Sequence, residues 1–282
     1  MTRVSTALVG MAAVALGAGR GGAQEWRTLE SSRQARGPIA PIDVRVQYAA
    51  GTIDITPTAE PILYRIALRY DAEQAEPMAS FDEDTRIVQL GVRALGSMAW
   101  RSGNRDGGSL SASLSDQAPM RLSLELGATR ARVQLGGLKL RRLELRTGAA
   151  ETRVDVGAPN SDSLDLVSLD IGAAKVTVAR AGNLRARRAE ITVGAGALDY
   201  DLAGVWTGET TLDATVAVGG LTVRIPADAG VRVTATTFLA SFDKAGLVKR
   251  GDAWESPGYA DAARRVRIDA TATLGSFEIV RR

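Results

Sequence analysis

A short phrase of sequence recurs at a nearly fixed interval between residues 121 and 223, and it limits what this chain can fold into. The phrase is an apolar strand, a glycine, a small residue and a second apolar strand. Its glycines are Gly127, Gly148, Gly172, Gly194 and Gly219, which are 21, 24, 22 and 25 residues apart. A period of this size predicts a solenoid, a propeller or an array of small units.

The residues after each glycine decide between these architectures. Apolar residues occupy alternate positions there, as Val133 with Leu135 and Val176 with Val178 show. Such alternation predicts strands with one buried face, and no amphipathic helix of three turns fits between the glycines. We therefore predict an all-β, single-domain β-solenoid with repeats of about 21–25 residues, in which each coil buries its inward side chains against the next.

The same phrase occurs near both ends of the chain, around Gly51 and Gly275. Glycine tolerates a positive φ and leaves room for a neighbouring backbone. We therefore interpret one set of repeat glycines as structural: Gly51, Gly127, Gly148, Gly172, Gly194, Gly219 and Gly275.

Residues 1–23 have the pattern of a secretory signal peptide: Arg3, an apolar run from Val4 to Leu16, and small residues up to Ala23. The apolar run is too short for a transmembrane helix. We predict cleavage near Ala23, an extracytoplasmic location in the periplasm or the medium, and no transmembrane segment in the mature chain. An uncleaved signal anchor is the alternative, which Arg20 keeps open.

The remaining chain divides by composition. We predict an irregular N-terminal lead over residues 24–41 and the β-solenoid domain over 42–282. Residues 102–115 are rich in Gly, Ser, Asp and Asn, which predicts an exposed loop. An open coil edge exposes unpaired backbone, so we predict that an aromatic-rich insertion over 238–263 caps the last coil.

Charge and residue types exclude several functions. The 35 Lys and Arg residues nearly balance the 32 Asp and Glu residues, and no nucleic-acid-binding motif is present. The sequence has neither His nor Cys, which excludes a Ser-His-Asp triad, a cysteine nucleophile and the usual zinc sites. We predict no enzymatic activity, no cofactor, no metal and no nucleic-acid partner.

The chemistries that remain possible are carboxylate chemistry, hard-cation binding and Ser-Lys chemistry. Asp199 and Asp201 share one face of a strand, where they would suit Ca²⁺ or, with another acid, a glycosidase pair. The favoured interpretation is a solvent-facing strand whose Leu198, Tyr200 and Leu202 point inward.

Two surface features are candidates for binding. Stacked coils would align some arginines, such as Arg185, Arg187 and Arg188, into a basic ladder facing an anionic glycan or lipid. Chance alignment of ordinary surface arginines is the simpler explanation. Trp254 and Tyr259 would form either an aromatic binding patch or part of the cap on the end coil.

The C-terminal part resembles a known family. The resemblance rests on LDATVAVGGLTVRIP at 212–226, GVRV at 230–233, GDAW at 251–254, Tyr259 and the strands of 268–280. These residues resemble the C-terminal domain of LiaF-type, or toastrack, cell-envelope proteins, and the earlier Gly-Ala repeats resemble adhesin-like members. The resemblance implies a β-solenoid that acts as a binding or scaffolding module around envelope-stress signalling. LiaF-type proteins carry transmembrane helices before the domain, whereas here we expect only a signal peptide before it.

We therefore predict a non-catalytic, exported binding or scaffold module at the bacterial cell envelope, linked to the envelope-stress response. Its partner would be an envelope protein or an anionic glycan or lipid surface. Two alternatives remain: an adhesin-like structural protein that self-associates through an exposed coil end, and a carboxylate-based glycan-active enzyme on a β-solenoid.

Overall fold

The computed structural model describes residues 25–35, 39–95, 107–244 and 246–282, and in this part of the chain it contains strands and two short 3₁₀-helices but no α-helix. The predicted signal peptide lies outside the described residues. The 3₁₀-helices are Ala181–Leu184 and Tyr259–Asp261. The strands are β1 (Trp26–Gln34), β2 (Ile42–Thr58), β3 (Ile62–Asp71), β4 (Ala75–Asp82), β5 (Ile87–Ala94), β6 (Gly108–Ser115), β7 (Pro119–Gln134), β8 (Lys139–Thr147), β9 (Glu151–Asp155), β10 (Leu166–Ile171), β11 (Lys175–Ala179), β12 (Arg188–Asp201), β13 (Gly208–Ile225), β14 (Gly230–Asp243), β15 (Val248–Arg250), β16 (Ala253–Glu255) and β17 (Arg264–Arg281). The all-β prediction is confirmed.

Most of the strands pair in parallel through two segments. One residue that is left out of the pairing divides a strand into two paired segments; this occurs in β2, β7, β12, β13, β14 and β17. In β2 and β7 these residues are Ala49 and Gly127, which lie opposite each other. In the next two repeats the two segments are separate strands: β8 and β10 correspond to the first segment, and β9 and β11 correspond to the second. We call the segment before this residue the first leg, the segment after it the second leg, and the position itself the corner.

The legs pair in nearly the order of the sequence. First legs follow the order β4, β5, β2, β7, β8, β10, β12, β13, β17, β14. Second legs follow the order β1, β3, β6, β2, β7, β9, β11, β12, β13, β17, β14. Because β17 lies between β13 and β14, the outermost parallel strand at this end is β14 and not the last strand of the chain.

Inward side chains align from strand to strand and form the core. On the first leg the aligned residues are Val44, Leu122, Leu143, Val167, Ala189, Leu212, Ile268 and Val233. On the second leg they are Ile55, Val133, Val154, Val178, Tyr200, Val223 and Ile279. All are buried, so burial of these apolar columns is the main force holding successive strands together.

Two buried asparagines bind the backbone of the loops that join the legs. Asn160 Nδ2 donates to the carbonyls of Leu140 and Asp162, and Asn183 Nδ2 donates to the carbonyl of Val156. Asn183 Oδ1 also accepts a hydrogen bond from the Val205 N–H. These amides satisfy backbone groups that the sheet leaves unpaired.

Two predicted irregular regions contain strands. Within the predicted lead 24–41, β1 pairs antiparallel with β3 along its whole length. Within the predicted loop 102–115, residues 102–106 lie outside the described residues, but 108–115 form β6, with Leu110, Ala112 and Leu114 buried. Serines alternate with these residues, so a serine-rich composition concealed a strand with one apolar face.

The predicted capping insertion 238–263 begins later than expected, because residues 238–243 belong to β14 and most of them pair with β17. The small antiparallel sheet of β15 and β16 follows, and β16 pairs with β14 only at Arg232 and Val233. The insertion therefore covers only the beginning of the outermost strand.

The repeat glycines form two columns and not one. Gly127, Gly148, Gly172 and Gly194 lie at the corner, where β13 has Ala217. Gly51, Gly219 and Gly275 lie two positions later, aligned with Gly196 of β12. The interval between β12 and β13 is therefore 219−196=23 residues. The apparent spacing of 25 arises because it was counted from Gly194, at the corner of β12, to Gly219, which lies two positions after the corner of β13.

Candidate functional site

Outward side chains also align, and arginines form one column on the first leg. Its members are Arg121, Arg142, Arg188, Arg267 and Arg232, interrupted by Leu166 and Thr211. Each has a carboxylate partner, among them Arg142 with Glu144 at 2.6 Å, Arg188 with Asp213 at 2.9 Å and Arg267 with Glu209 at 2.8 Å. The positive charge on this face is therefore locally neutralised.

The second leg carries cations that are not neutralised in this way. Arg132 and Arg153 are register neighbours on β7 and β9, and Lys175 follows on β11 beside Glu151. All three side chains are exposed, and none has an ion-pair partner among the described residues. Arg130 adjoins them and reaches Glu151 only at 3.5 Å. We call Arg130, Arg132, Arg153 and Lys175 the basic patch.

Two acids lie within or beside the basic patch. Glu151 pairs with Arg130, and Asp54 of β2 is the register neighbour of Arg132. Four cations against two carboxylates leave a net positive charge on this part of the second leg. Exposed charges this close reinforce one another within a Debye length of about 8 Å at physiological ionic strength.

A groove opens beside the basic patch at the corner. It encloses about 770 Å³ and is lined by Arg69, Arg130, Thr52 and a row of small residues that includes Ala128, Ala149 and Ala173. These alanines are the small residues that follow the corner glycines in the repeat phrase. Because their side chains are short, they leave an accessible depression, and Arg130 joins the groove to the basic patch.

The guanidinium of Arg69 is held at the groove by an aromatic ring. Its Cζ lies 4.0 Å from the centroid of the Trp26 ring, which is a cation–π contact. Arg69 has no carboxylate partner in the described part of the chain. A stacked guanidinium keeps its N–H donors in the plane of the group, where they can bind an oxyanion.

A buried hydroxyl also belongs to this groove. Thr129 is 5% exposed, lines the groove and has no hydrogen-bond partner for Oγ1. Buried polar groups without partners are uncommon and call for an explanation. Arg69 and Arg130 provide donors for an anionic group, and the carboxylate of Glu151 also lines the groove and faces Arg130 at 3.5 Å.

The arginines singled out in the sequence are placed separately. Arg185 lies in a left-handed turn, and its Nη1 donates to the carbonyls of Asn160 and Ser161 at 3.3 and 3.1 Å. Arg188 belongs to the first-leg column and is ion-paired. Arg187 is exposed and has no side-chain partner among the described residues. The three therefore do not form one cationic surface.

The aromatic candidates lie in the C-terminal insertion. Trp254 of β16 is half-buried against the core, with Lys244 Nζ 4.2 Å from its ring centroid. Tyr259 begins the second 3₁₀-helix and is also half-buried. Their positions suit residues of a cap better than residues of an exposed aromatic patch.

The carboxylates Asp199 and Asp201 are held by arginines. Arg224 Nε donates to both oxygens of Asp199 at 2.8 and 3.0 Å, and this hydrogen bonding raises the pKa of Arg224. Asp201 accepts from Arg282 at 2.6 Å. Leu198, Tyr200 and Leu202 point inward and are buried. Across the described residues, no three His, Cys, Asp or Glu side chains are grouped so that they could hold a metal ion.

Two sequence motifs mark the basic patch, but neither motif alone shows that their arginines are neighbours. The motifs R-A-R-V at 130–133 and E-T-R-V at 151–154 each place an arginine one position before the inward valine. Only the register, which aligns Val133 with Val154, shows that Arg132 and Arg153 are neighbours. Neither Arg69 nor Trp26 belongs to the repeat, so no periodicity indicated that they meet.

Comparisons with known proteins identify a family for the N-terminal part. The family described as the N-terminal domain of toast_rack, DUF2154, matches residues 28–179. The C-terminal residues that resemble LiaF-type proteins lie outside this match, so that closer relationship remains a prediction. No curated protein matches the chain significantly.

Among solved structures, the chain is similar to two bacterial proteins. A "putative cell adhesion protein" from Clostridium sporogenes is 14% identical with a TM-score of 0.49, and the match covers 90% of this chain and 99% of that one. A "putative adhesin" from Bacteroides fragilis is 11% identical with a TM-score of 0.41, covering 90% and 97%. In the described ranges, no helix has the length and hydropathy needed to cross a membrane.

Proposed function

Because this chain belongs to the toast_rack family, we propose that it is an exported, non-catalytic, adhesin-like module that binds an anionic glycan or lipid headgroup at the bacterial cell envelope. The groove between Arg69 and Arg130 would receive the charged group, and the basic patch would extend the contact. The envelope-stress connection belongs to the same proposal, as the context in which such a module would act.

One observation carries the proposal: the arginines of the first-leg column are all ion-paired, whereas Arg132, Arg153 and Lys175 are not. Exposed arginines and lysines usually stand near carboxylates on a surface of mixed charge. Cations that outnumber the neighbouring carboxylates, beside a groove with a stacked guanidinium, favour recognition of an oxyanion such as a phosphate or a carboxylate.

The architecture supports a binding role over a catalytic one. We propose that the parallel legs form a β-solenoid, since successive segments align at offsets of 21, 24, 22 and 23 residues. Such a stack presents aligned outward columns over a long surface. Asp199 and Asp201, the carboxylates that the sequence offered for a glycosidase pair, are both engaged by arginines.

Vesicle and glycan binding test the proposal. The purified protein is mixed with phosphatidylcholine vesicles, with vesicles that also contain phosphatidylglycerol, and with alginate as a soluble carboxylated glycan. We expect binding to at least one anionic probe, and weaker binding at high salt. Selective binding to anionic vesicles would identify a lipid headgroup, and selective binding to alginate would identify a glycan.

A matched pair of triple variants locates the surface. Arg132→Ser with Arg153→Ser and Lys175→Ser should weaken binding about 10- to 100-fold, because each cation near an anionic surface contributes about 1 kcal/mol. Arg121→Ser with Arg142→Ser and Arg267→Ser removes the same charge from the ion-paired column and should change binding much less. Equal losses in both variants, or no binding to any anionic probe at low salt, would refute the proposal.

A further inference from the structure

The outer edge of β14 has almost no partner. From Gly230 to Asp243 this strand pairs on one side with β17, while on its other side β16 reaches only Arg232 and Val233. No described strand pairs with the outer edge of residues 234–243. Half of the backbone N–H and C=O groups of this segment therefore point away from the sheet, and such groups form a template for pairing with another strand.

An apolar ridge leads along the corner to this edge. The position after the corner is Ala195 in β12, Val218 in β13, Leu274 in β17 and Leu239 in β14, in direct register. Phe238 is the corner residue of β14. Phe238 is 78% exposed and Leu239 is 65% exposed. The side chains of the ridge grow larger toward the open edge, so the largest exposed apolar groups lie where the backbone is unpaired.

The edge also lacks the features that normally prevent strand pairing. Residues 234–242 read TATTFLASF and contain no charge and no proline. At the other end of the sheet, β1 carries Arg27, Glu30 and Arg33, and β4 carries Pro77 between charged residues. Charges and prolines of this kind discourage edge-to-edge association, and the β14 edge has none of them over residues 234–242.

We propose that a second copy of this chain docks on β14, forming a two-fold symmetric dimer through antiparallel pairing of residues 234–243 of both copies. A two-fold axis between Phe238 and Leu239 would place each Phe238 opposite Leu239 of the other copy. The axis then passes through the corner, so the first leg of each copy pairs with the second leg of the other copy. The two bent strands therefore match in shape.

The small cap fits this arrangement. Pairing about this axis sets Thr234 opposite Asp243 of the other copy, while β16 occupies Arg232 and Val233 just beyond the paired segment. The cap therefore pairs with none of residues 234–242 and ends where the dimer contact begins. Homotypic pairing brings copies of one segment together, and the absence of charge in 234–242 removes like-charge repulsion.

A second copy satisfies this edge better than a bilayer does. Phe238 and Leu239 alone would suit insertion into lipid, but the unpaired backbone beside them would enter hydrocarbon without hydrogen-bond partners, at a cost of several kcal/mol per group. A strand of another copy covers the side chains and pairs the backbone together. The inference is independent of anion binding by the groove.

Solution size and one charge change provide the first test. We expect sedimentation equilibrium of the purified protein to show a monomer–dimer equilibrium. Phe238→Lys should raise the dimer dissociation constant at least about tenfold, since two symmetry-related pairs are lost. The matched control is Val205→Lys, at an apolar position that is 65% exposed and belongs to the loop between β12 and β13; it should leave the dimer unchanged.

Disulfide trapping tests the register, because the chain contains no cysteine. Thr236 and Ser241 lie opposite each other across the proposed axis, so Thr236→Cys with Ser241→Cys should yield a disulfide-linked dimer on mild oxidation. Thr236→Cys with Ala240→Cys is one position out of register and should cross-link far less.

Three outcomes would overturn the inference. They are a monomer at all concentrations, a dimer equally sensitive to Val205→Lys and Phe238→Lys, and equal cross-linking of the two cysteine pairs. A monomer that binds vesicles through Phe238 would assign the ridge to a membrane instead. Intact folding of each variant is checked by its circular dichroism and thermal unfolding.

Discussion

At the scale of single residues, the two glycine columns differ in what they require. Gly219 and Gly275 have φ near +120°, and a Cβ at either position would overlap the carbonyl oxygen of the glycine on the neighbouring strand. At Gly148 the backbone is ordinary, and the nearest atom to an added Cβ is the Gly127 oxygen at 3.4 Å. Gly219 and Gly275 therefore require both the backbone conformation and the space that glycine provides, whereas Gly148 requires neither.

We predict that Gly219→Ala destabilises the protein by at least about 3 kcal/mol, because it adds backbone strain and an overlap that the core cannot relieve. Gly148→Ala should cost less than about 1 kcal/mol, since Ala217 already fills the aligned position in β13. Urea unfolding at equilibrium measures both free energies. Similar values for the two variants would show that the columns are equivalent.

At the scale of elements, alternation predicted the strands of the repeat but neither β1 nor β6. Val133, Val154 and Val178 follow the period of two and align as inward residues. In β6, only Leu110, Ala112 and Leu114 mark the buried face among serines, and β1 is half-exposed and polar. β1 lies at the end of the second-leg order and buries little apolar surface, so its sequence carries a weaker signal. β6 lies inside that order, and its buried face was concealed by the alternating serines.

The candidate site was less predictable because it depends on register. Arg132 and Arg153 are 21 residues apart in sequence, and their proximity follows only from the pairing of β7 with β9. The position of β17 between β13 and β14 leaves the β14 edge open. A sequence-order stack would instead have placed the last strand at the end, so local patterns alone could not locate this edge.

The loops between legs depend on buried amides, which the sequence pattern did not indicate. Asn183 is 5% exposed. Its Nδ2 donates a hydrogen bond to the carbonyl of Val156 in one loop, and its Oδ1 accepts one from the N–H of Val205 in the next. We predict that Asn183→Ala destabilises the protein by about 1–3 kcal/mol for each backbone group left unsatisfied. Thermal and urea unfolding measure the loss, and exposed Gln134→Ala serves as control. A loss no greater than that of the control would mean that water replaces the amide.

At the scale of the whole molecule, the core contains tyrosines as well as aliphatic residues. Burial raises the pKa of Tyr48, Tyr64 and Tyr200 above the usual value of about 10. The folded state therefore keeps these phenols neutral at a pH where the unfolded chain ionises them. Their contribution to stability is complete below about pH 10 and is lost as the pH rises further, because the unfolded state then binds fewer protons.

We predict that Tyr200→Phe makes the protein less sensitive to alkaline pH. Tyr200 is fully buried in the second-leg column between Val178 and Val223, so phenylalanine keeps most of its packing while removing the ionisable group. The urea midpoints of the variant and the native protein should be similar at about pH 8 and should diverge above about pH 10, with the variant more stable. Tyr259→Phe, in the half-buried cap, is the control and should follow the native protein. Parallel curves for Tyr200→Phe and the native protein would mean that alkaline unfolding begins elsewhere, because a phenol in this core cannot ionise without opening the parallel ladder around it.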